Sequence, residues 1–248
     1  MRRASNRYGC SVTSFKMRKA ALCLILLLAT FLLNAQVAEY KISSLGVKVA
    51  DLRIEFQPNK AVIKVQNKGK IWIFPHIDNL YEVEFDKQFL PKRYLRTIHQ
   101  GELRDSVFTL YAAPKATMYQ KSTGKNTFYR IEPSTRDFFS FLRMICSNKN
   151  TSGNYLLDGN GASWQAWVSP GKMDKIKTAL GTFTARKHDI TLKALSQEKA
   201  PYTDMLTHNF LSEDTKMSIW ISDAGLPLKA QLKKKIWSMN WDIISIRK

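Results

Sequence analysis

Cysteine is almost missing from this 248-residue chain: there are three, Cys10, Cys23 and Cys146. The first two lie in an N-terminal leader, and the one left behind cannot form an internal disulfide. Stability must come from burial. Cys146 ends an apolar helical pattern and reads as a small buried residue rather than a nucleophile. Histidine is nearly as scarce, with only His76, His99, His188 and His208. None stands in a His-x-x-x-His, His-Glu-x-x-His or Cys-x-x-Cys frame, so a zinc site has no support. A Gly-x-Ser-x-Gly elbow and a phosphate-cradling glycine loop are both lacking. No catalytic residue, metal ligand or cofactor is assigned on this basis, and a hydrolase ranks behind two non-catalytic readings. Asp158-Gly-Asn-Gly161 begins like a calcium loop, lacks the later ligands, and reads as a hairpin turn.

Long apolar runs are also lacking. The one run, Ala20 to Leu33, is about 14 residues, short of the ~20 that a helix needs to cross a ~30 Å hydrocarbon core. Lys16, Arg18 and Lys19 precede it and Asn34-Ala35-Gln36 follows, which is the layout of a secretory signal peptide. Residues 1–36 are read as this leader, with Met17 as a second candidate start, and 37–248 as a single exported β-rich domain. An uncleaved anchor is the alternative. No cysteine ends the run, so a lipoprotein is not expected. The expected location is periplasmic or outer-membrane-associated.

Acidic residues number 20 against 39 Lys and Arg, a net charge of +19. Without the six basic residues of the leader the balance is 33 against 20, or +13. In an exported protein this excess points to anionic envelope surfaces rather than to nucleic acid. Most of the basic residues are spread singly along alternating segments, as on solvated strand faces.

What the chain does have is period-2 alternation. Leu45 to Phe56 alternates with one slip near Ala50, which reads as a strand with a bulge. Ala61–Val65, Tyr81–Phe85, Leu95–Leu103, Ser106–Tyr111, Met118–Gln120 and Thr127–Ile131 follow. Strands resume at Tyr155–Leu157, Trp164–Ser169, Ile176–Ala179, Gly181–Thr184 and His188–Lys193. Lys216–Ser222, Leu228–Trp237 and Trp241–Ile246 complete the set. Between the two series, Ser134 and Asp137 have capping-box-like spacing. Phe138, Phe141, Leu142 and Ile145 fall at i, i+3, i+4, i+7, predicting one main helix over 134–146 that caps or plugs a sheet. The fold class is therefore all-β: an antiparallel curved or barrel-like sheet of ten to thirteen strands with one main helix.

Tryptophans gather late in the chain. Trp164, Trp167, Trp220 and Trp237, with Phe138 and Phe141, are candidate ligand-lining residues; the plain alternative is that they fill a core.

The order of four segments resembles the bacterial exported proteins of domain-of-unknown-function family 3108. These segments are Tyr40 to Ile54, Asp137 to Arg143, Leu180-Gly-Thr-Phe-Thr-Ala-Arg-Lys187 and Ile219-Trp-Ile-Ser-Asp-Ala-Gly-Leu-Pro-Leu-Lys229. The helix lacks the family's Tyr and has Phe139 and Phe141. Asp223 stands one place early, and Leu226 stands where a basic residue is common. The resemblance implies a β-rich exported domain and transfers no catalytic residue. The resulting expectation is non-catalytic binding of an apolar or amphiphilic ligand such as a lipid. The alternative is a structural or assembly accessory of the envelope with a filled interior.

Overall fold

The computed structural model describes residues 36–67, 75–148, 151–196, 204, 211–234 and 237–247. The expected signal peptide, His208 and the side chain of Trp237 lie outside the described residues. The first series of strands is β1 (Gln36–Ser44), β2 (Val47–Phe56), β3 (Lys60–Gln66), β4 (Asp78–Phe85), β5 (Pro91–Gln100), β6 (Leu103–Ala112), β7 (Lys115–Gln120) and β8 (Lys125–Arg130). The short β9 (Arg136–Asp137) leads into α1 (Phe138–Ser147). The second series is β10 (Gly153–Asp158), β11 (Ser163–Val168), β12 (Lys172–Thr178), β13 (Gly181–Ala194), β14 (Thr215–Ile221), β15 (Pro227–Lys234) and β16 (Trp237–Arg247).

All sixteen strands belong to one large curved sheet, against the ten to thirteen expected. Each strand from β1 to β7 pairs antiparallel with its successor, and β1 also pairs with β16. The order continues β16-β15-β14-β13-β11-β10-β9, and β12 pairs with β13 alone. The sheet is not closed: its two ends are β8 and β9, which are consecutive in the chain.

Alternation explains the inner face. Ala61, Ile63 and Val65 of β3 and Tyr81, Val83 and Phe85 of β4 are all buried, with half-exposed residues between them. The slip near Ala50 is a register shift. Ile42 faces Ala50 and Ser43 faces Lys48, leaving Val49 extra. Two features differ from expectation in the same region. Residues 36–44 form a strand of their own, and Leu45-Gly46, both at positive φ (49° and 82°), turn the chain into β2. Further on, the two expected strands at Gly181–Thr184 and His188–Lys193 are one 14-residue strand, β13. Its first half pairs with β12 and its second with β11, so nothing interrupts it.

The helix also starts later than expected. Asp137, not Ser134, is its N-cap: one carboxylate oxygen accepts from the Phe139 N–H (2.8 Å) and the Ser140 N–H (3.2 Å). Ser134 is spent in a turn closed by the Thr135 N–H on the Glu132 carbonyl, after which Arg136–Asp137 pairs with β10. Phe138, Phe139, Phe141, Leu142 and Ile145 are each at most 3% exposed, so α1 plugs the sheet's concave side. Phe139 meets Tyr81 (ring centroids 5.2 Å apart) and Tyr94 (6.1 Å). At the helix's other end, Gly225 sits in the β14–β15 turn at φ +74°. A Cβ there would lie 2.7 Å from the Cys146 carbonyl oxygen, so only glycine permits this approach.

Candidate binding site at the open seam of the sheet

Where β8 and β10 fail to pair, side chains bridge the gap. Tyr111 of β6 and Tyr129 of β8 both donate to the same oxygen of Asp158 on β10, at 2.8 and 2.9 Å. The other Asp158 oxygen accepts from the Gly161 N–H at 2.6 Å, which fixes the Asp158–Gly161 turn of the β10–β11 hairpin. This carboxylate is buried, and burial pushes its pKa up despite the three hydrogen bonds that oppose it. The same desolvation drives the Tyr111 and Tyr129 hydroxyls far above the usual phenol range, so they remain donors.

A wider buried polar cluster adjoins this bridge. Arg96 of β5 is fully buried and donates to Thr109 Oγ1 (3.2 Å) and towards Met118 S (3.3 Å), and its guanidinium lies 4.9 Å from the Tyr94 ring centre. Burial would lower its pKa, but Tyr94 and Asp204 outweigh that and keep it charged. Tyr81 donates to Asp204 at 3.0 Å. The second oxygen of Asp137 and the Tyr94 hydroxyl are buried with no hydrogen-bond partner among the described residues. Desolvation raises Asp137 to about 6.

Over the seam lies a groove of about 290 Å³. Ile131, Leu156, Leu157, Trp164 and Leu195 supply its apolar wall, with Arg130 and Glu132 among its polar lining residues. Trp164 closes down on the hairpin turn: a Cβ on Gly159 would lie 2.6 Å from its indole nitrogen. That contact is the reason the turn carries glycine at that place.

The candidate aromatics have separate surroundings. Trp164 lines the groove. Trp167 is three residues on in the same strand, an odd spacing that turns it to the opposite face, where it is 45% exposed. Trp220 lies beneath β12, donates its indole N–H to Asp174 at 2.7 Å, and has Lys187 and Lys229 over its ring. Phe138 and Phe141 are in the packed core, and Phe141 contacts Tyr155 of β10 (5.6 Å). Trp237 belongs to β16. The sequence reading missed Arg96, Tyr111, Tyr129 and Asp158. The signal available for the first was a charged residue on the Tyr94–Ile98 face of a strand.

His76 is exposed, whereas His188 is buried with Nδ1 2.9 Å from the Ser169 carbonyl. Among the described residues no helix is long and apolar enough to cross a membrane.

No protein-family model matches the chain, and no curated protein matches it either. The resemblance to family 3108 therefore has no match behind it. Among solved structures, the chain is similar to the β-barrel-like protein of domain of unknown function DUF1849 from Brucella abortus. The TM-score is 0.56 at 7% identity, over 86% of this chain and 97% of that one. Weaker likenesses are to a protein from Bacteroides fragilis named as exported, with a YmcC-like fold (TM-score 0.30, 6% identity, 86% and 95% covered), and to one from Parabacteroides distasonis named as a lipoprotein (0.31, 9%, 86% and 95%). What the first of these carries is the fold: the chain has a β-barrel-like architecture known from a bacterial domain of unknown function.

Proposed function

We propose that this is an exported, non-catalytic envelope protein that holds the apolar part of an amphiphile in the seam groove beside Trp164. The observation that carries the reading is the groove itself. It lies where the sheet stays open, with an apolar wall of Ile131, Leu156, Leu157, Trp164 and Leu195. Its volume, about 290 Å³, is at the small end of the ~300–1,000 Å³ usual for ligand sites. That size favours one acyl chain over a multi-chain lipid. Arg130 lines the same groove and can meet an anionic headgroup, in keeping with the chain's basic excess.

A structural accessory with a filled interior is the second reading, supported by the five apolar α1 side chains packed into the concave face. Native mass spectrometry of the protein isolated from membranes separates the two. A co-purifying amphiphile is expected under the first. The substitution Ser163→Trp fills the groove from an exposed position on its lining and should abolish the adduct. A bare mass for the unaltered protein, or an adduct that survives Ser163→Trp, would assign the protein to the second reading.

A further inference from the structure

The outer face of the β6–β8 end of the sheet carries an unusual surface. Val107, Thr109, Ala116 and Met118 point inward and are buried. Alternation therefore turns Phe108, Leu110, Tyr119 and Phe128 outward together. Leu110, Tyr119 and Phe128 are 45%, 40% and 58% exposed. The register makes them contiguous: Leu110, Thr117 and Phe128 stand side by side in one row, and Phe108, Tyr119 and Asn126 in the next. Isolated exposed apolar residues need no explanation, but a continuous patch does.

Cations surround this patch. The Lys115 ammonium is 4.0 Å from the Phe128 ring centre, and the Arg93 guanidinium is 5.3 Å from that of Phe108. Residues 103–130 hold five basic side chains and one acidic one, Asp105. That carboxylate is buried and engaged. It accepts from the Ser106 N–H (2.8 Å), the Ser122 N–H (3.0 Å), Ser122 Oγ (2.8 Å) and Gln120 Nε2 (2.7 Å). It stiffens the β7–β8 hairpin. Arg93 and Arg130 have acidic neighbours in Glu84 (3.7 Å) and Glu132 (3.8 Å), so the excess positive charge of this region rests on Lys115, Lys121 and Lys125. β8 is also an end strand of the sheet, and Lys125 and Arg130 at its two ends discourage pairing with another strand.

We propose that this face docks on an anionic phospholipid bilayer. Aromatic rings standing on a rigid sheet would sit at the headgroup level, and the flanking Lys and Arg would meet lipid phosphates. Charge complementarity favours a lipid surface over a second copy of this chain, which would bring the same positive patch against itself. Arg130 lies both on this face and in the lining of the groove, so docking would bring the groove to the membrane surface. The docking does not depend on the groove being occupied.

The test is co-sedimentation of the purified protein with vesicles of mixed phosphatidylglycerol and phosphatidylcholine, or of phosphatidylcholine alone, at low and high salt. All variants share one N-terminus, so any contribution of the leader cancels, and each is first checked for an unchanged thermal midpoint. The unaltered protein should bind the anionic vesicles and release in high salt. Lys115→Glu should weaken binding by about tenfold or more, since one basic residue near an anionic surface is worth about fivefold and reversal counts twice. Phe128→Ser and Tyr119→Ser should each weaken it severalfold, whereas Lys233→Glu, on the exposed side of β15, should cost no more than its share of net charge. Equal binding to neutral vesicles would overturn the proposal, as would equal losses from Lys115→Glu and Lys233→Glu. A soluble dimer that Phe128→Ser dissociates would give the face to a second copy instead.

Discussion

Replacing Asp137 with Asn removes a charge from the core while keeping the helix cap. Asp137 is fully buried, one of its oxygens caps α1, and the other has no hydrogen-bond partner among the described residues. Desolvation lifts its pKa from 3.8 to about 6. A carboxyl whose folded pKa is raised stabilises the fold fully below its unfolded value and loses that contribution as pH rises through the folded one. Taking 3.8 and 6, the ionised group costs the fold about 3 kcal/mol at neutral pH and above. Stability should then fall by about 1 kcal/mol between pH 5 and pH 7.5 through this group alone. Asn at the N-cap supplies the same acceptor and cannot ionise. Urea unfolding at the two pH values is the assay. The unaltered protein should lose stability with rising pH, and Asp137→Asn should lose about 1 kcal/mol less. Asp158 is also raised by burial and titrates in the same direction; its charge adds to the rise at Asp137, so removing the Asp137 charge also eases the ionisation of Asp158 and flattens the slope further. Asp137→Ala is the control, because it loses the cap and strands two buried N–H groups; it should be less stable than Asp137→Asn by ~1–3 kcal/mol at either pH. If Asp137→Asn keeps the full pH slope, or destabilises at pH 7.5 as much as Asp137→Ala does, the buried-charge account of Asp137 is wrong.

Other consequences concern the seam and the plug. Tyr129→Phe leaves Asp158 with one fewer donor and should destabilise by ~1–3 kcal/mol in thermal or urea unfolding. Adding Tyr111→Phe should cost less than the sum of the two singles if both serve one carboxylate, and a strictly additive double variant would count against a shared bridge. Gly225→Ala combines a positive φ with a 2.7 Å approach to the Cys146 carbonyl. It should cost more than the ~1 kcal/mol of a simple backbone penalty, and an unchanged midpoint would contradict the close packing of the β14–β15 turn on α1. Burial pushes the Cys146 thiol up to about 12. At pH 8, alkylation followed by peptide mapping should find Cys146 unmodified in the native protein and modified only as fast as the protein unfolds.

Much of the sheet could be read from the chain because its strands are half-buried. Ala61-Val-Ile-Lys-Val65 and Tyr81-Glu-Val-Glu-Phe85 carry their inner face in alternate letters. The helix was legible from Phe138, Phe141, Leu142 and Ile145 for the same reason at a different period. Its start was not, because Ser134 and Asp137 are both good caps, and the choice fell to the pairing of Arg136–Asp137 with β10, which only the folded chain supplies. The turn at Leu45-Gly46 was missed because leucine rarely adopts positive φ, so its residue type gave no warning. The seam bridge was out of reach of any local pattern: Tyr111 and Tyr129 stand 47 and 29 residues from Asp158. Trp164 and Trp167 looked like a pair in composition. Their odd spacing on a strand already assigned them to opposite faces.

An amphiphile held in the open seam would show itself in the intact mass of the protein taken from membranes. One bound single-chain amphiphile is expected on the unaltered protein and a bare mass after Ser163→Trp, with both proteins equally stable. A bare mass for both, or the same adduct on both, would contradict it.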